Sequence, residues 1–497
     1  MAAELAYLRT PLARAVQRIG RGIAGWPKRT GQALWRMGLA LWHGICAVGR
    51  TVRELWRALV HGDAFTRMSF LLMGCGCLRR GQVVKGLLFL LAEAAFLAYM
   101  VGFGAGYLMK FGTLGTEVTG RVWDEEAQIY RYTAGDNSVL ILLYSVVTLL
   151  FCAGFLWLYV RSVRACYRAE RTARTGERLP TLREEWRALL DERFHVTLLT
   201  VPTLLIAAFT VLPILFMILL AFTNFDSAHQ PPGNLFTWTG LETFRGLLWD
   251  DPVKSYTLWK LLGWTLVWAI FATLTNYIGG ILLALLIQQK GLRLKKLWRT
   301  LFVVTIAVPQ FVTLLLMSKL LADQGTVNQL LQAWELTTEP VHFLTDATLA
   351  RITVIAVNLW VGIPYTLLIA TGILINVPEE LYESARIDGA GPARVFFRIT
   401  LPYMLYITTP YLITQFVGNI NNFNLIFLLT GGEPATLEYF RAGKTDLLVT
   451  WLYKQTVNFQ NYNLAAAIGI LVFILSAVFS LTVYHASGSS RREGEFA

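Results

Sequence analysis

The chain has 497 residues, 55% of them hydrophobic and 15% charged, a balance that excludes an ordinary soluble globular protein. Repeated apolar runs of about twenty residues, each enough to cross a hydrocarbon core of roughly 30 Å, predict a polytopic membrane protein. Its net charge of +12 then reads as cytoplasmic loops obeying the positive-inside rule, not as a nucleic-acid surface.

Before Phe70, arginine interrupts every apolar stretch, so no cleavable signal pattern is present. Arg14, Arg18, Arg21 and Arg36 alternate instead with Trp26, Trp35, Trp42 and Trp56. This predicts, over residues 1–80, basic amphipathic helices on the inner membrane surface, with Trp at headgroup level and Arg toward anionic lipid. Pro11 and Pro27 should break that segment into pieces.

Eight spans follow, at about 83–106, 138–160, 197–223, 261–287, 301–321, 352–375, 403–430 and 464–485, and backbone satisfaction in lipid makes them helices. The loop after the second carries Arg161, Arg164, Arg168, Arg171, Arg174, Arg178 and Arg183. The loop after the fourth carries Lys290, Arg293, Lys295, Lys296 and Arg299, and the tail Arg491 and Arg492. By contrast, the loop after the first carries Glu117, Asp124, Glu125, Glu126 and Asp136. With both termini cytoplasmic, every basic loop lies inside. Residues 81–196 form two accessory spans with a basic loop, 197–486 a core of six spans, and 487–497 a cytoplasmic tail.

Glu93 falls within the first span, where an ionisable group is costly. It is expected to be structural, packed near a cation or protonated. Cys46, Cys75, Cys77, Cys152 and Cys166 are expected to be free thiols. Cys75 and Cys77 lack a second pair at metal-site spacing and the histidines are scattered, so neither metal nor cofactor is expected.

Between the sixth and seventh spans, on the cytoplasmic side, Pro378-Glu379-Glu380 opens a short helix: proline suits the first turn and carboxylates meet the positive end of the helix dipole. Small Ser384 and Ala385 allow another protein's surface to approach. Gly389-Ala390-Gly391-Pro392 forces a turn, and a second piece, from Ala393 to Thr400, leads into the next span. The expected product is an exposed helix–turn–helix knob at 377–402. Gly443-Lys444-Thr445 is not a phosphate loop, because position 438 is Glu where glycine is required. Energy must come from another subunit.

The seventh span carries Gln415, Asn419, Asn421, Asn422 and Asn424, and the sixth Asn358, Trp360 and Tyr365. Gln415, Asn419 and Asn422, spaced by four and three, should share one helical face, with Gly418 beside them leaving room for a ligand. Amides with an aromatic ring suit sugar hydroxyls and pyranose faces. They equally suit hydrogen bonding between helices, and the residues alone leave both readings open.

Glu383-Ser384-Ala385, three residues, Gly389, nine residues and Ile399-Thr400-Leu401-Pro402 resemble the "EAA" loop of ATP-binding-cassette importer permeases at every fixed position but Ser384, where the family usually has Ala. From about 197 onward the chain is similar to the larger membrane subunits of maltose/maltodextrin importers, in Leu212-Pro213-Ile214-Leu215-Phe216, Asn358 to Tyr365, Asn419 to Phe423, Thr445 to Val449 and Leu464 to Ile468. The resemblance implies an all-α membrane protein with about eight spans and a six-helix type I importer core. It implies ATPase coupling through Glu383, Ser384, Ala385, Asp388, Gly389, Ile399, Leu401 and Pro402. It also implies sugar contacts at Asn358, Val361, Gly362, Tyr365, Gln415, Gly418, Asn419 and Asn422. Gln415 and Gly418 depart from the family's expected serine and phenylalanine, and the short external connection at 224–260 replaces a large inserted domain.

The implied protein is a non-enzymatic subunit of the bacterial cytoplasmic membrane. Its implied partners are a second permease subunit, two ATPase subunits, an extracytoplasmic sugar-binding protein, membrane lipid and an oligosaccharide, with no nucleic acid. Maltose or maltodextrin is the expected sugar, a galactoside the alternative. A membrane-embedded glycosyltransferase would need paired carboxylates that the spans lack. A secondary transporter would be expected to show internal repeats and buried coupling carboxylates.

Overall fold

The computed structural model describes residues 46, 48–125, 128–289 and 291–486. The expectations for Arg14, Arg18, Arg21, Trp26, Trp35, Arg36, Trp42, Lys290 and the tail with Arg491 and Arg492 lie outside the described residues. The contacts divide the chain into two compact units, Met1–Phe216 and Met217–Ala497.

The first unit opens with α1 (48–61), which carries an exposed Trp56, followed by α2 (Ala64–Met68) and α3 (Cys75–Arg79). Asp63 caps α2 by accepting from the Thr66 N–H at 2.7 Å, and Arg80 donates to the same carboxylate at 2.6 Å. Burial pushes this carboxyl up, but the bonds from Thr66 and Arg80 outweigh it and hold Asp63 below the usual range. Next come α4 (Val83–Lys110), a two-stranded hairpin of β1 (Gly120–Asp124) and β2 (Ile129–Thr133), and α5 (Ser138–Arg174). The hairpin is antiparallel, with Gly120 opposite Thr133, and the apolar pattern did not point to it. Glu93 on α4 accepts the Met73 N–H at 2.7 Å, a structural use in which the partner is a backbone donor. The Cys77 and Cys166 sulfurs, both buried, lie 3.2 Å apart. α6 (Leu182–Leu190) opens on a Thr181/Glu184 capping box.

Among the described residues, six helices are long and apolar enough to cross a membrane: α4, α5, α7 (Phe194–Leu220), α8 (Pro252–Gln288), α11 (Ala347–Ile375) and the last helix, from Tyr462. Two bent pairs bring the number to eight if each counts once. The fifth predicted span is one of them: α9 (Lys295–Ala307) and α10 (Gln310–Leu320) meet at 92° instead of running straight. Pro309 is the cause, since it holds Val308 extended and offers no N–H to continue the helix. After α12 (Glu379–Ile387), the seventh span likewise bends by 41° between α13 (Pro392–Ile420) and α14 (Phe423–Leu429). The second unit closes with α15 (Leu448–Tyr453) and α16 (Tyr462–Ala486).

In the second unit α8 runs beside α11, and both start on side-chain caps: Asp251 accepts from Val253 and Lys254, Asp346 from Thr348 and Leu349. Toward those capped ends α8 packs Trp264, Trp268 and Ala272 against Val354 and Val357 of α11 and Leu425 and Ile426 of α14. Toward its other end Tyr277, Ile281 and Ala284 pack on Leu367, Ala370 and Met404. Thr273 and Asn276 fall between these two apolar clusters.

Candidate functional site

Three helices of the second unit meet at that polar level. Trp268 Nε1 donates to the Asn419 carbonyl at 3.0 Å, and Asn419 Nδ2 donates to Thr273 Oγ1 at 3.0 Å. The Tyr277 and Thr408 hydroxyls bond at 2.6 Å, and those of Thr366 and Tyr411 at 3.3 Å. A narrow recess with about 10 Å³ of enclosed space opens here, lined by Thr273, Asn276, Tyr277, Thr366, Tyr411 and Gln415 with the apolar Ala272 and Leu412. Charged side chains take no part in the lining.

The expected contact residues distribute unevenly. Gln415 lines the recess, and Asn419 is joined to its wall through Thr273. Asn358 is 4% exposed and its Nδ2 has no partner. Gly362 sits against Asn276: a Cβ there would lie 2.0 Å from the Asn276 Nδ2, so only glycine admits that amide. Tyr365 is 49% exposed. Val361 packs on the apolar cluster around Trp268, and the space where a Gly418 Cβ would stand is open. Asn422 does not share the face of Gln415 and Asn419. Its side chain accepts from the Leu425 N–H at 3.3 Å and starts α14, so the helix breaks between them.

Sequence reading passed over Thr273, Asn276 and Tyr277 of α8, and Thr366 and Tyr411. Thr273, Asn276 and Gly280 recur at the three-to-four spacing of one helical face inside an apolar span, and that was the available signal.

The segment after α11 folds as the expected knob. α12 carries Glu379 and Glu380 in its first turn and ends in a Schellman motif: Gly389 N–H donates to Arg386 O at 3.0 Å and Ala390 N–H to Ala385 O at 2.9 Å, with Gly389 at φ +70°. The Tyr382 and Thr400 hydroxyls, 3.3 Å apart, tie α12 to the start of α13. Glu383, Ser384, Asp388, Gly389 and Pro402 are exposed, while Ala385, Ile399 and Leu401 are half-buried. Ile387, 86% exposed at the end of α12, was not singled out by the motif. Lys444 pairs with Glu438 at 2.6 Å and the Thr445 hydroxyl donates to Glu433 O at 2.5 Å, so Gly443-Lys444-Thr445 cradles no phosphate.

Residues 276–491 match the family of binding-protein-dependent transport system inner membrane components. The chain is 35% identical to the galactooligosaccharides transport system permease protein GanP of Bacillus subtilis, over 84% of this chain and 96% of that one. It is 29% identical to the maltodextrin transport system permease protein MalC of Streptococcus pneumoniae, over 83% and 93%. In fold it resembles, with a TM-score of 0.51 at 23% identity over 61% of this chain and 97% of the other, a chain of a bacterial ABC transporter that imports the acidic polysaccharide alginate. The chain therefore belongs to the binding-protein-dependent inner-membrane permeases, as a multi-pass permease subunit of a sugar ABC importer.

Proposed function

We propose that this permease carries a neutral oligosaccharide. The observation that carries the reading is the recess itself, which offers amides and hydroxyls and no charged side chain. Such a wall exchanges hydrogen bonds with sugar hydroxyls at little desolvation cost, whereas an acidic sugar would leave its carboxylate unpaired in a low-dielectric site. Both neutral chemistries have support: similarity to GanP favours a galactooligosaccharide, similarity to MalC the maltodextrin expected from the sequence.

In this reading Asn358, Gly362, Tyr365, Gln415 and Asn419 border the ligand path, with Val361 and Gly418 beside it and Asn422 setting the helix break. Glu383, Ser384, Ala385, Asp388, Gly389, Ile399, Leu401 and Pro402 form the face or frame of the knob that meets a separate ATPase. The working assembly pairs the chain with a second permease subunit, two ATPases and an extracytoplasmic binding protein. Both termini are cytoplasmic, the core begins near residue 197, and residues 1–80 lie on the inner membrane surface. ATPase closure moves the knob, and the core alternates between inward- and outward-facing states because each partner contacts the two states differently.

The test is uptake of labelled maltotriose, galactotriose and an acidic uronic-acid trisaccharide in the host with this chain deleted and restored. Loss and rescue of one neutral trisaccharide is expected, and it names the sugar. Uptake of the acidic probe alone would overturn the reading.

A further inference from the structure

α8 supplies the recess with a residue that neither the motif nor the resemblance singled out. Asn276 is 9% exposed, its Oδ1 has no hydrogen-bond partner, and the residue is part of the recess lining. Its neighbours in the lining are already committed: Thr273 to Asn419, Tyr277 to Thr408, Thr366 to Tyr411. The carboxamide packs into the notch that Gly362 leaves on α11, its Nδ2 nearest. A buried acceptor that neighbouring groups do not satisfy is unfavourable wherever water is scarce. It persists where something outside the fold completes it.

Resting on the neutral-oligosaccharide reading, we infer that Asn276 is a ligand-positioning residue whose Oδ1 accepts a hydroxyl hydrogen from the transported sugar. The missing partner is a hydrogen-bond donor, which a polyol supplies in abundance and an apolar or acceptor-only ligand does not. The enclosed space is only about 10 Å³, room for one water and far below the 300–1,000 Å³ typical of ligand pockets. As packed here, α8, α11 and α13 leave no room for a sugar at the polar level, and Asn276 meets one only when they part. Gly362 acts as its seat: with any Cβ at 362 the amide must leave its place.

The experiment compares Asn276→Leu, an apolar replacement of similar size, with the parent chain in the reconstituted complete importer. It measures KM and kcat for uptake of whichever neutral trisaccharide the parent transports, together with thermal unfolding of the sugar-free complex. Loss of one ordinary hydrogen bond predicts KM raised about 3- to 10-fold with kcat less affected. The sugar-free complex should be as stable as the parent or more so, because the orphaned oxygen is gone. Unchanged KM overturns the proposal, and so does a loss of uptake that only follows a lower unfolding temperature, which marks Asn276 as packing between helices. Gly362→Ala should reproduce the KM effect by displacing the amide; normal KM there removes the seat. A parent complex that transports neither neutral sugar overturns the oligosaccharide reading, and with it this role of Asn276.

Discussion

Asn419 and Thr273, 146 residues apart in sequence, are joined by a hydrogen bond of 3.0 Å between the seventh and fourth spans. The sequence left two uses open for Asn419, ligand contact and interhelical bonding, and the amide nitrogen is spent on the second. Hydrogen bonds of this kind inside membranes couple by about 0.6 kcal/mol on average and up to roughly 1.7. Asn419→Leu and Thr273→Val should each lower the unfolding temperature of the purified complex. The double variant should recover about that coupling in a thermodynamic cycle. Strict additivity would uncouple Asn419 from Thr273 and leave its amide free for the ligand alone.

The helix–turn–helix shape of the knob was legible because its physics is local. A proline-led first turn, two small residues and a glycine at the helix end specify a Schellman stop whatever surrounds them, and Gly389 takes φ +70° as a consequence. Span positions were legible because lipid enforces long apolar runs. The polar level was less so. Asn422 looked like a third member of the Gln415–Asn419 face, yet its bond to the Leu425 N–H ends that face, a choice between two local uses of one amide that spacing cannot decide. Asn276 showed only as a polar position on one face of α8, because its meaning comes from Gly362, 86 positions later on another helix.

Asp446 is fully buried before α15 and meets Lys454 at 2.6 Å, while accepting the Gly443 N–H at 2.7 Å. Trp264 Nε1 fastens the same turn by donating to Thr445 O at 3.1 Å. Lys454→Met would strand a buried carboxylate, a change that typically costs about 3–5 kcal/mol. Thermal unfolding and protease sensitivity between Thr430 and Leu447 should report that loss. Adding Asp446→Asn should restore most of it, since the stranded charge is then absent. A single variant as stable as the parent would mean that water reaches the carboxylate.

Ile387 projects from the last turn of α12 almost wholly into solvent. Burying such a side chain against a partner is worth about 1.5–3 kcal/mol, or roughly 10- to 100-fold in affinity. Ile387→Glu should weaken co-purification of the ATPase subunits by that order and reduce uptake, with the chain still inserted. Ile387→Ala should do the same more mildly. ATPase binding unchanged in both would place the contact elsewhere on the knob.

Gly389 separates two explanations of the knob's glycine. A Cβ there would meet nothing within 4 Å, so there is room for a side chain, and only the φ of +70° resists one. For an ordinary L-residue that left-handed conformation costs about 1–2 kcal/mol, more for a β-branched one, while Asn adopts it more readily. Gly389→Val should therefore unfold the turn and abolish uptake while the protein remains in the membrane. Gly389→Asn should keep most uptake and most sugar-stimulated ATP hydrolysis. If Asn fails as completely as Val, glycine is needed because the partner's surface lies against it, and the requirement is contact. If Val transports normally, the turn plays no part in coupling and the knob reading fails with it.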